Sequence, residues 1–505
     1  MTITRRTLLG ASAALPFLRN AAHAASPAGT LTFGLSSYPP NLQPWMNAGS
    51  ANGAVIALLH RNLVCYGADG SLQGDLAEHW EADGDAWVFH LRDALFQNGE
   101  KVTADDVKWT LEQVAAPTSL AYMRSQFQNV AQIDTPDART VRLVMKQPMV
   151  TIPEWLANYF MPIVAKGSTG PGKPGIGAGP FMLKSFERGV SLDLVAFDKY
   201  YKPGLPKLKA IRVVAYADEN ARVSALQAGD VDMIDYVPWQ SMAAIEADPK
   251  LKLTTQNGPF MYLTFNGRSG PFKDALVRQA IGFAVNRDDI IKTAFFGRGA
   301  PMNGVPLTPG TPYYDEKYAQ YFRYDPAHAK ALLAQAGLAD GFSCTLLSTG
   351  QYSMHQSTAE VVQQNLAAVG IQVKLALPDW ATRVSLGNRG QFEFAVGGTA
   401  EEIIDPDGLT SVLDNTLSPS YIRSTGFVVP EMHELLDQGR AEFDPAKRRV
   451  IYTKVQQLGA EQAPIIGLCY RAQGYAMKQT VQGFINLPGP LTFFAPMTLD
   501  ETSIA

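Results

Sequence analysis

Trp380, Glu401 and Glu402 are the residues best placed to do chemistry with a ligand. They belong to the stretch Ile371–Asp407, IQVKLALPDWATRVSLGNRGQFEFAVGGTAEEIIDPD. IQVKLAL alternates like a strand and ends at Pro378, which cannot donate to a ladder. DWATRVSLGN reads as a short helix capped by Asp379, and QFEFAV as a second strand. Both strands open into loops at their carboxyl ends, where α/β folds hold ligands. An indole at 380 can stack on a ligand or pack beneath its loop. Glu401 is expected to be a solvated surface carboxylate. The stretch predicts one wall of a ligand cleft, with the other wall supplied by the N-terminal half.

Patterns for enzyme chemistry fail on inspection. Gly167 to Lys173 has phosphate-loop spacing, but Pro174 follows where a Ser or Thr must hold magnesium. Gly170, Gly172 and Gly175 fit a dinucleotide fingerprint, yet prolines interrupt it and a strand-like FMLKSF follows. Asp405-x-Asp407-Gly408 begins a calcium loop that Leu409 breaks. The histidines at 23, 60, 79, 90, 328, 355 and 433 never adopt helical ligand spacing. No G-x-S-x-G or H-E-x-x-H occurs. The expectation is therefore binding without catalytic residues, metal or cofactor.

Composition narrows the class. A chain of 505 residues predicts two to three domains. Its 43 basic and 47 acidic residues leave a net charge of -4, so no basic field points to nucleic acid or anionic membrane. Residues 1–24 read as an export signal, with the twin-arginine pattern Thr4-Arg5-Arg6-Thr7-Leu8-Leu9 and the cleavage site Ala22-His23-Ala24. The apolar run ends at Arg19, too short to span a bilayer. A periplasmic location follows. Cys65, Cys344 and Cys469 are odd in number and far apart, which favours buried free thiols over a disulfide.

The elements alternate. A first strand, LTFGL (31–35), leads into a loop rich in Pro, Asn and aromatics. Ala54–Leu63 is apolar enough for a helix. Thr103 caps a helix with Asp105 and Asp106 in its first turn. A helix over 217–229 ends at Gly229 and feeds the strand VDMI; PFMYLTFN (259–266) is another strand. Helices start at Asp274, Asn286, Asp325-Pro326 and Asp444-Pro445, and Ser357-x-x-Glu360 reads as a capping box. Strands alternating with helices predict the α/β class.

The chain resembles the extracellular solute-binding proteins, family 5, of peptide and nickel ABC importers. The resemblance rests on L-A-E-H-W-E (76–81), W-V-F-H-L-R (87–92), F-Q-N-G-E-K-V-T-A-D-D-V (96–107) and V-R-L-V-M-K-Q-P (141–148). It continues through G-I-G-A-G-P-F-M-L-K (175–184), A-L-Q-A-G-D-V-D (225–232) and V-R-Q-A-I-G-F-A-V-N-R-D (277–288). It implies a two-lobed periplasmic binding protein-like fold of the large class, with an extra subdomain in lobe one. Lobe one would hold 25–260, with a subdomain near 55–165, completed by 477–505; lobe two would hold 261–476. It implies a small solute, a short peptide or an amine-bearing compound, closed between the lobes and passed to an inner-membrane ABC permease, the binding protein being a monomer. An exported hydrolase, or a periplasmic chaperone or sensor on the same fold, are the rival readings.

The resemblance also nominates residues. Aligned to Asp405-Pro406-Asp407, Glu402 falls where peptide binders of the family carry the acid that pairs with the ligand's amino group. Val396 and Thr399 stand where oligopeptide binders carry Arg and Trp. Tyr38 and Trp45 are expected on the opposite wall, and Phe260, Tyr262 and Asn266 near the hinge. Arg423 and Arg471 are candidates for an anionic ligand group.

Overall fold

The computed structural model describes residues 28–46, 49–170 and 172–505; the export signal, its twin arginines and its cleavage point lie outside the described residues. Ten strands form one path: β1 (Thr30–Leu35), β2 (Phe181–Glu187), β3 (Ser191–Ala196), β4 (Ala210–Ala215), β5 (Met233–Ile234), β6 (Leu251–Phe265), β7 (Phe342–Leu347), β8 (Ile371–Ala376), β9 (Phe394–Thr399) and β10 (Ile465–Lys478). Their spatial order is β8–β7–β9–β6–β10–β5–β1–β4–β3–β2, and Gly299–Pro301 pairs with β10 as an eleventh strand.

Two strands carry the architecture. β6 has 15 residues and β10 has 14, and they pair antiparallel along most of their length. At roughly 3.3 Å per residue each spans close to 50 Å, enough to cross both halves of the molecule. Leu251–Asn257 pairs with Ala472–Lys478 beside β5, and Phe260–Phe265 pairs with β9. The β6–β10 ladder lapses between Asn257 and Phe260. On one side β1 is parallel to β4 and β5; on the other β7 is parallel to β8 and β9. This is the expected two-lobed α/β fold.

A separate four-stranded sheet (Ala77–Asp83, Ala86–Leu91, Val130–Asp137, Thr140–Met145) packs with the helix Ala104–Ala115 inside the N-terminal half. The C-terminal tail docks there too. Arg61 reaches Asp500 at 2.8 Å, both side chains buried, and Tyr200 donates to the same carboxylate at 3.1 Å. A second core runs from Val223–Leu251 through β6 and β10 into the helices Ala275–Ala284 and Ser353–Ala367, so the shared strands make it continuous across the junction.

Helix starts follow the capping signals. Thr103 and Asp106 form a reciprocal box, and Asp218, Asp274, Asn286, Asp325, Asp379 and Asp444 each accept an amide of the first turn. Ser357 does not cap. Its helix begins a turn earlier, at Ser353, because Met354 and His355 bury against the sheet and extend the apolar face. All three cysteines are free and buried, and burial pushes each thiol up to about 12. No helix among the described residues is long and apolar enough to cross a membrane.

Candidate functional site: the cleft between the lobes

Asp379 accepts from the Thr382 amide at 3.0 Å and so starts the helix Trp380–Asn388 at the end of the loop after β8. Trp380, half-buried, lies 5.4 Å from Tyr352, 5.5 Å from His355 and 5.9 Å from Tyr421, centroid to centroid. One turn on, Arg383 shares that helix face. Its guanidinium carbon sits 5.2 Å from the Trp380 ring and 5.2 Å from the Tyr421 ring, in cation–π range. Arg383 is 1 % exposed, one of its terminal nitrogens donates to the Val396 carbonyl, and its Nε makes no hydrogen bond within the protein.

Arg471 approaches from β10. It is 3 % exposed and sits over Tyr236 and Trp239, at 5.5 and 5.7 Å. Its Nη1 donates to the Tyr236 hydroxyl (2.9 Å) and to Gln473 Oε1 (3.0 Å), while its Nε is also without a partner in the chain. His355 feels both cations: burial, then the charges of Arg383 and Arg471, push it down to about 3, so the ring is neutral at ordinary pH. Gly398 makes room for it, since a Cβ there would come within 3.2 Å of the imidazole. Ser50, Asp235, Tyr236, Gln473, Tyr475 and Phe493 line a small cavity of about 10 Å³, room for about one water.

The loop after β9 supplies an acidic end. Glu401, expected at the surface, is buried; Thr308 Oγ1 donates to it at 2.8 Å, and burial pushes its carboxyl up to about 8. The loop is pinned inward by its own acids. Asp405 binds Arg448 in a fork at 2.5 and 2.6 Å, and Asp407 accepts from Arg440 Nε at 3.0 Å. Asp407 also accepts from Thr151 at 2.9 Å, joining the C-terminal half to the N-terminal half. Glu402 makes a second bridge: Tyr122 donates to its carboxylate, and Asn158 Nδ2 donates to its carbonyl at 3.0 Å. Burial raises the Glu402 pKa, against the Tyr122 hydrogen bond and the Arg423 charge.

Two predictions arise here. Tyr122→Phe removes a charge-assisted cross-lobe contact and is expected to shift the ligand-free population toward an open form. Small-angle scattering should show a larger radius of gyration than wild type; an identical profile would count against a latch. The second concerns pH. Glu154 is also pushed up to about 8, chiefly by burial and then by Asp405. Both glutamates thus hold a proton in the fold above the ordinary value of 4.5. Their stabilisation is complete below that value and is lost as pH rises toward 8. Thermal midpoints should fall over this window, and the Glu154→Gln, Glu401→Gln double variant should flatten the fall. Parallel pH curves for the two proteins would refute this.

The residues named from sequence have these partners in the structure. Trp45 donates its indole N–H to the Pro162 carbonyl at 2.9 Å and packs its ring near Trp109 within the N-terminal core. Phe260 and Tyr262 are buried in the β6–β9 packing, with the Tyr262 hydroxyl spent on the Ile422 carbonyl at 2.8 Å. Asn266 holds the end of β6, donating to the carbonyls of Gly390 (2.8 Å) and Phe392 (2.9 Å). Tyr38 is half-buried against the N-terminal core. Arg423 is half-buried and donates to the Ser411 and Ser418 carbonyls, at 3.0 and 3.2 Å. Arg383, His355, Tyr236 and Tyr421 went unnamed; Arg383 was within reach of sequence reasoning, three residues beyond Trp380 on a predicted helix.

The model of the bacterial extracellular solute-binding proteins, family 5 Middle, matches residues 71–418. The chain belongs to this family. Among curated relatives, the glutathione-binding protein GsiB of Escherichia coli (strain K12) is 27% identical over 463 residues, covering 88% of this chain and 90% of its own. Among solved structures, the PBP AgaA from A. tumefaciens R10, in complex with agropinic acid, is 40% identical with a TM-score of 0.86, covering 94% of this chain and 99% of its own. The periplasmic binding protein DppA of Helicobacter pylori, in complex with peptide STSA, shares the fold at 21% identity and a TM-score of 0.80, covering 94% of this chain and 98% of its own. This family 5 protein is accordingly a periplasmic solute-binding component of an ABC importer, and not an enzyme.

Proposed function

We propose that this family 5 protein carries a small amino-acid derivative, a short peptide or an acid-bearing conjugate, to an inner-membrane permease. The observation that carries this reading is the polarity of the cleft. The half-buried carboxyl of Glu402 stands at one end, beside the buried Glu401, and the buried guanidinium groups of Arg383 and Arg471 stand at the other. Tyr421 lies between, within the field of both Arg383 and Glu402. A ligand with an amine and an acid group matches that order of charges. The 40% identity to AgaA, which was solved with agropinic acid, and the 27% identity to the glutathione-binding GsiB support the same class. Of the residues named from sequence, Trp380, Glu402 and Arg471 belong to this site, with Tyr38 and Arg423 farther out.

Ligand binding shifts the lobes toward the closed form, which is the one the permease takes. The lobes we propose are 25–260 with 477–505, and 261–476; β6 and β10 passing between them support that division. Export of a monomer by the twin-arginine route, with cleavage after Ala24, belongs to the same proposal. Native mass spectrometry of the protein taken from its own periplasm tests the cargo. A co-purified amino-acid derivative, released unchanged, is the expected result; a ligand without an acid or amine group would overturn it, and turnover of that ligand would favour an exported hydrolase.

A further inference from the structure

We propose that the subdomain of lobe one is a clasp: it grips residues 402–407 of lobe two and holds the lobes closed, and Glu154 is the group through which acid tightens the grip. The inference rests on the lobe division proposed above and gives residues 55–165 a role separate from cargo recognition.

The loop after β9 enters the N-terminal half as a plug. Ile403 is fully buried within that half's core, and Ile404 packs at its edge, where a Cβ at Gly70 would stand 3.5 Å from Ile404 Cδ1. Polar ties surround the plug. The Val150 amide donates to the Arg440 carbonyl at 2.9 Å. Thr151 Oγ1 and Trp155 Nε1 donate to Asp407 Oδ2 at 2.9 and 3.4 Å. Asn158 Nδ2 and the Tyr122 hydroxyl hold the carbonyl and the carboxylate of Glu402. At the rim Trp87 stacks on Phe443, 6.1 Å between centroids. Each of these N-terminal partners lies between residues 55 and 165, so the grip belongs to the subdomain.

Charge makes the clasp responsive to protons. Glu154 belongs to the helix Ile152–Leu156, between the two donors to Asp407. It faces the Tyr66 phenol of the strand Val64–Tyr66, Asp405 and Asp407 of the loop, and Arg448 of the helix Pro445–Gln462. Arg440 joins the set through Asp407, at 2.9 Å. With Glu154 neutral, two carboxylates meet two guanidinium groups, as the pairs Asp405–Arg448 and Asp407–Arg440. Ionised, Glu154 adds a third carboxylate whose Oε2 is buried without a partner. An uncompensated charge there weakens the joint it sits in. Burial, then the Asp405 charge, push the carboxyl up to about 8 while the clasp is shut. Water on a separated face returns it toward its ordinary 4.5. Closing therefore takes up a proton, and the closed form loses ground as pH rises from 4.5 to about 8. Burial raises Glu402 in the same sense, so removing Glu154 lowers the slope without abolishing it.

Spin-label distances in the full chain, without ligand, test the clasp. The three native thiols are buried, so label goes to introduced cysteines. Arg188→Cys marks lobe one, Glu112→Cys the subdomain and Lys330→Cys lobe two, all at exposed positions. Electron–electron resonance is recorded for the three pairs from about pH 5 to about pH 9. Both pairs that include position 330 are expected to gain a second distance. Its ratio to the first should rise severalfold per pH unit, at most about tenfold for one proton, and level off above about 8. The 112–188 pair should stay fixed. Glu154→Gln should lower the slope, and Thr151→Val, which removes a donor to Asp407, should enlarge the second population at every pH. A wild type indifferent to pH, an unchanged slope in Glu154→Gln or an unchanged population in Thr151→Val would overturn the clasp without touching the lobe division. A 112–188 distance that changes while 112–330 stays fixed would show the subdomain travelling with lobe two, which overturns the division and this inference with it. Should Glu154→Gln fail to fold, the wild-type slope and Thr151→Val still decide.

Discussion

Arg448→Met is expected to lower the unfolding free energy by about 3–5 kcal/mol, the usual loss when one member of a buried ion pair is removed. Arg448 is 4 % exposed and makes more than the fork to Asp405. Its Nε donates to the Gly439 carbonyl at 2.7 Å and its Nη1 to the Tyr313 hydroxyl at 3.0 Å, between the Tyr313 and Tyr452 rings. Methionine fills the volume and leaves Asp405 buried without a cation. Denaturant titration of Arg448→Met, Asp405→Leu and the double variant separates two explanations. If the lost pairing carries the effect, the double variant should be less destabilised than the sum of the singles. Strict additivity would show that Arg448 acts through packing alone. Because Asp405 pins the loop that bears Glu401 and Glu402, ligand affinity should fall with Arg448→Met even where the protein remains folded.

Gly258→Ala should be nearly as damaging, at about 3 kcal/mol, the upper end for forcing atoms into a filled core. A Cβ at 258 would stand 2.1 Å from the Gly489 carbonyl carbon and 2.3 Å from the Pro490 nitrogen. Both are backbone atoms of the C-terminal segment that folds over β6, so neither can swing aside like a flexible side chain. Gly258 also sits where the β6–β10 ladder lapses, between Asn257 and Phe260. The variant should therefore disturb lobe movement as well as stability. A thermal midpoint within a degree or so of wild type would show that the C-terminal segment yields instead.

Much of this architecture could be read from the chain. The strand IQVKLAL, the Asp379 cap and the Asp444-Pro445 helix stand where alternation and capping chemistry put them. Local rules suffice there because each signal concerns neighbours within a few residues. The cleft was less legible. Which aromatic of PFMYLTFN faces solvent depends on pairing with β9 and β10, more than a hundred residues away, and both Phe260 and Tyr262 turned inward. Glu401 read as a surface acid because the arginines that draw its loop inward, Arg440 and Arg448, belong to separate later helices. The motif Asp405-Pro406-Asp407 resembles half a metal loop and nothing in its spacing shows what its carboxylates hold. Its two carboxylates are ties for that loop, a role that needs partners no spacing rule supplies.

The three sequestered thiols have a bearing on how the protein matures. A thiol held at about 12 has almost no thiolate at neutral pH and so does not exchange with disulfides. The finished conformation thus needs no oxidant to be reached and none to be kept. It can be completed equally well in a glutathione-rich compartment or beyond the inner membrane, leaving the choice of translocation route free of any demand from covalent cross-linking.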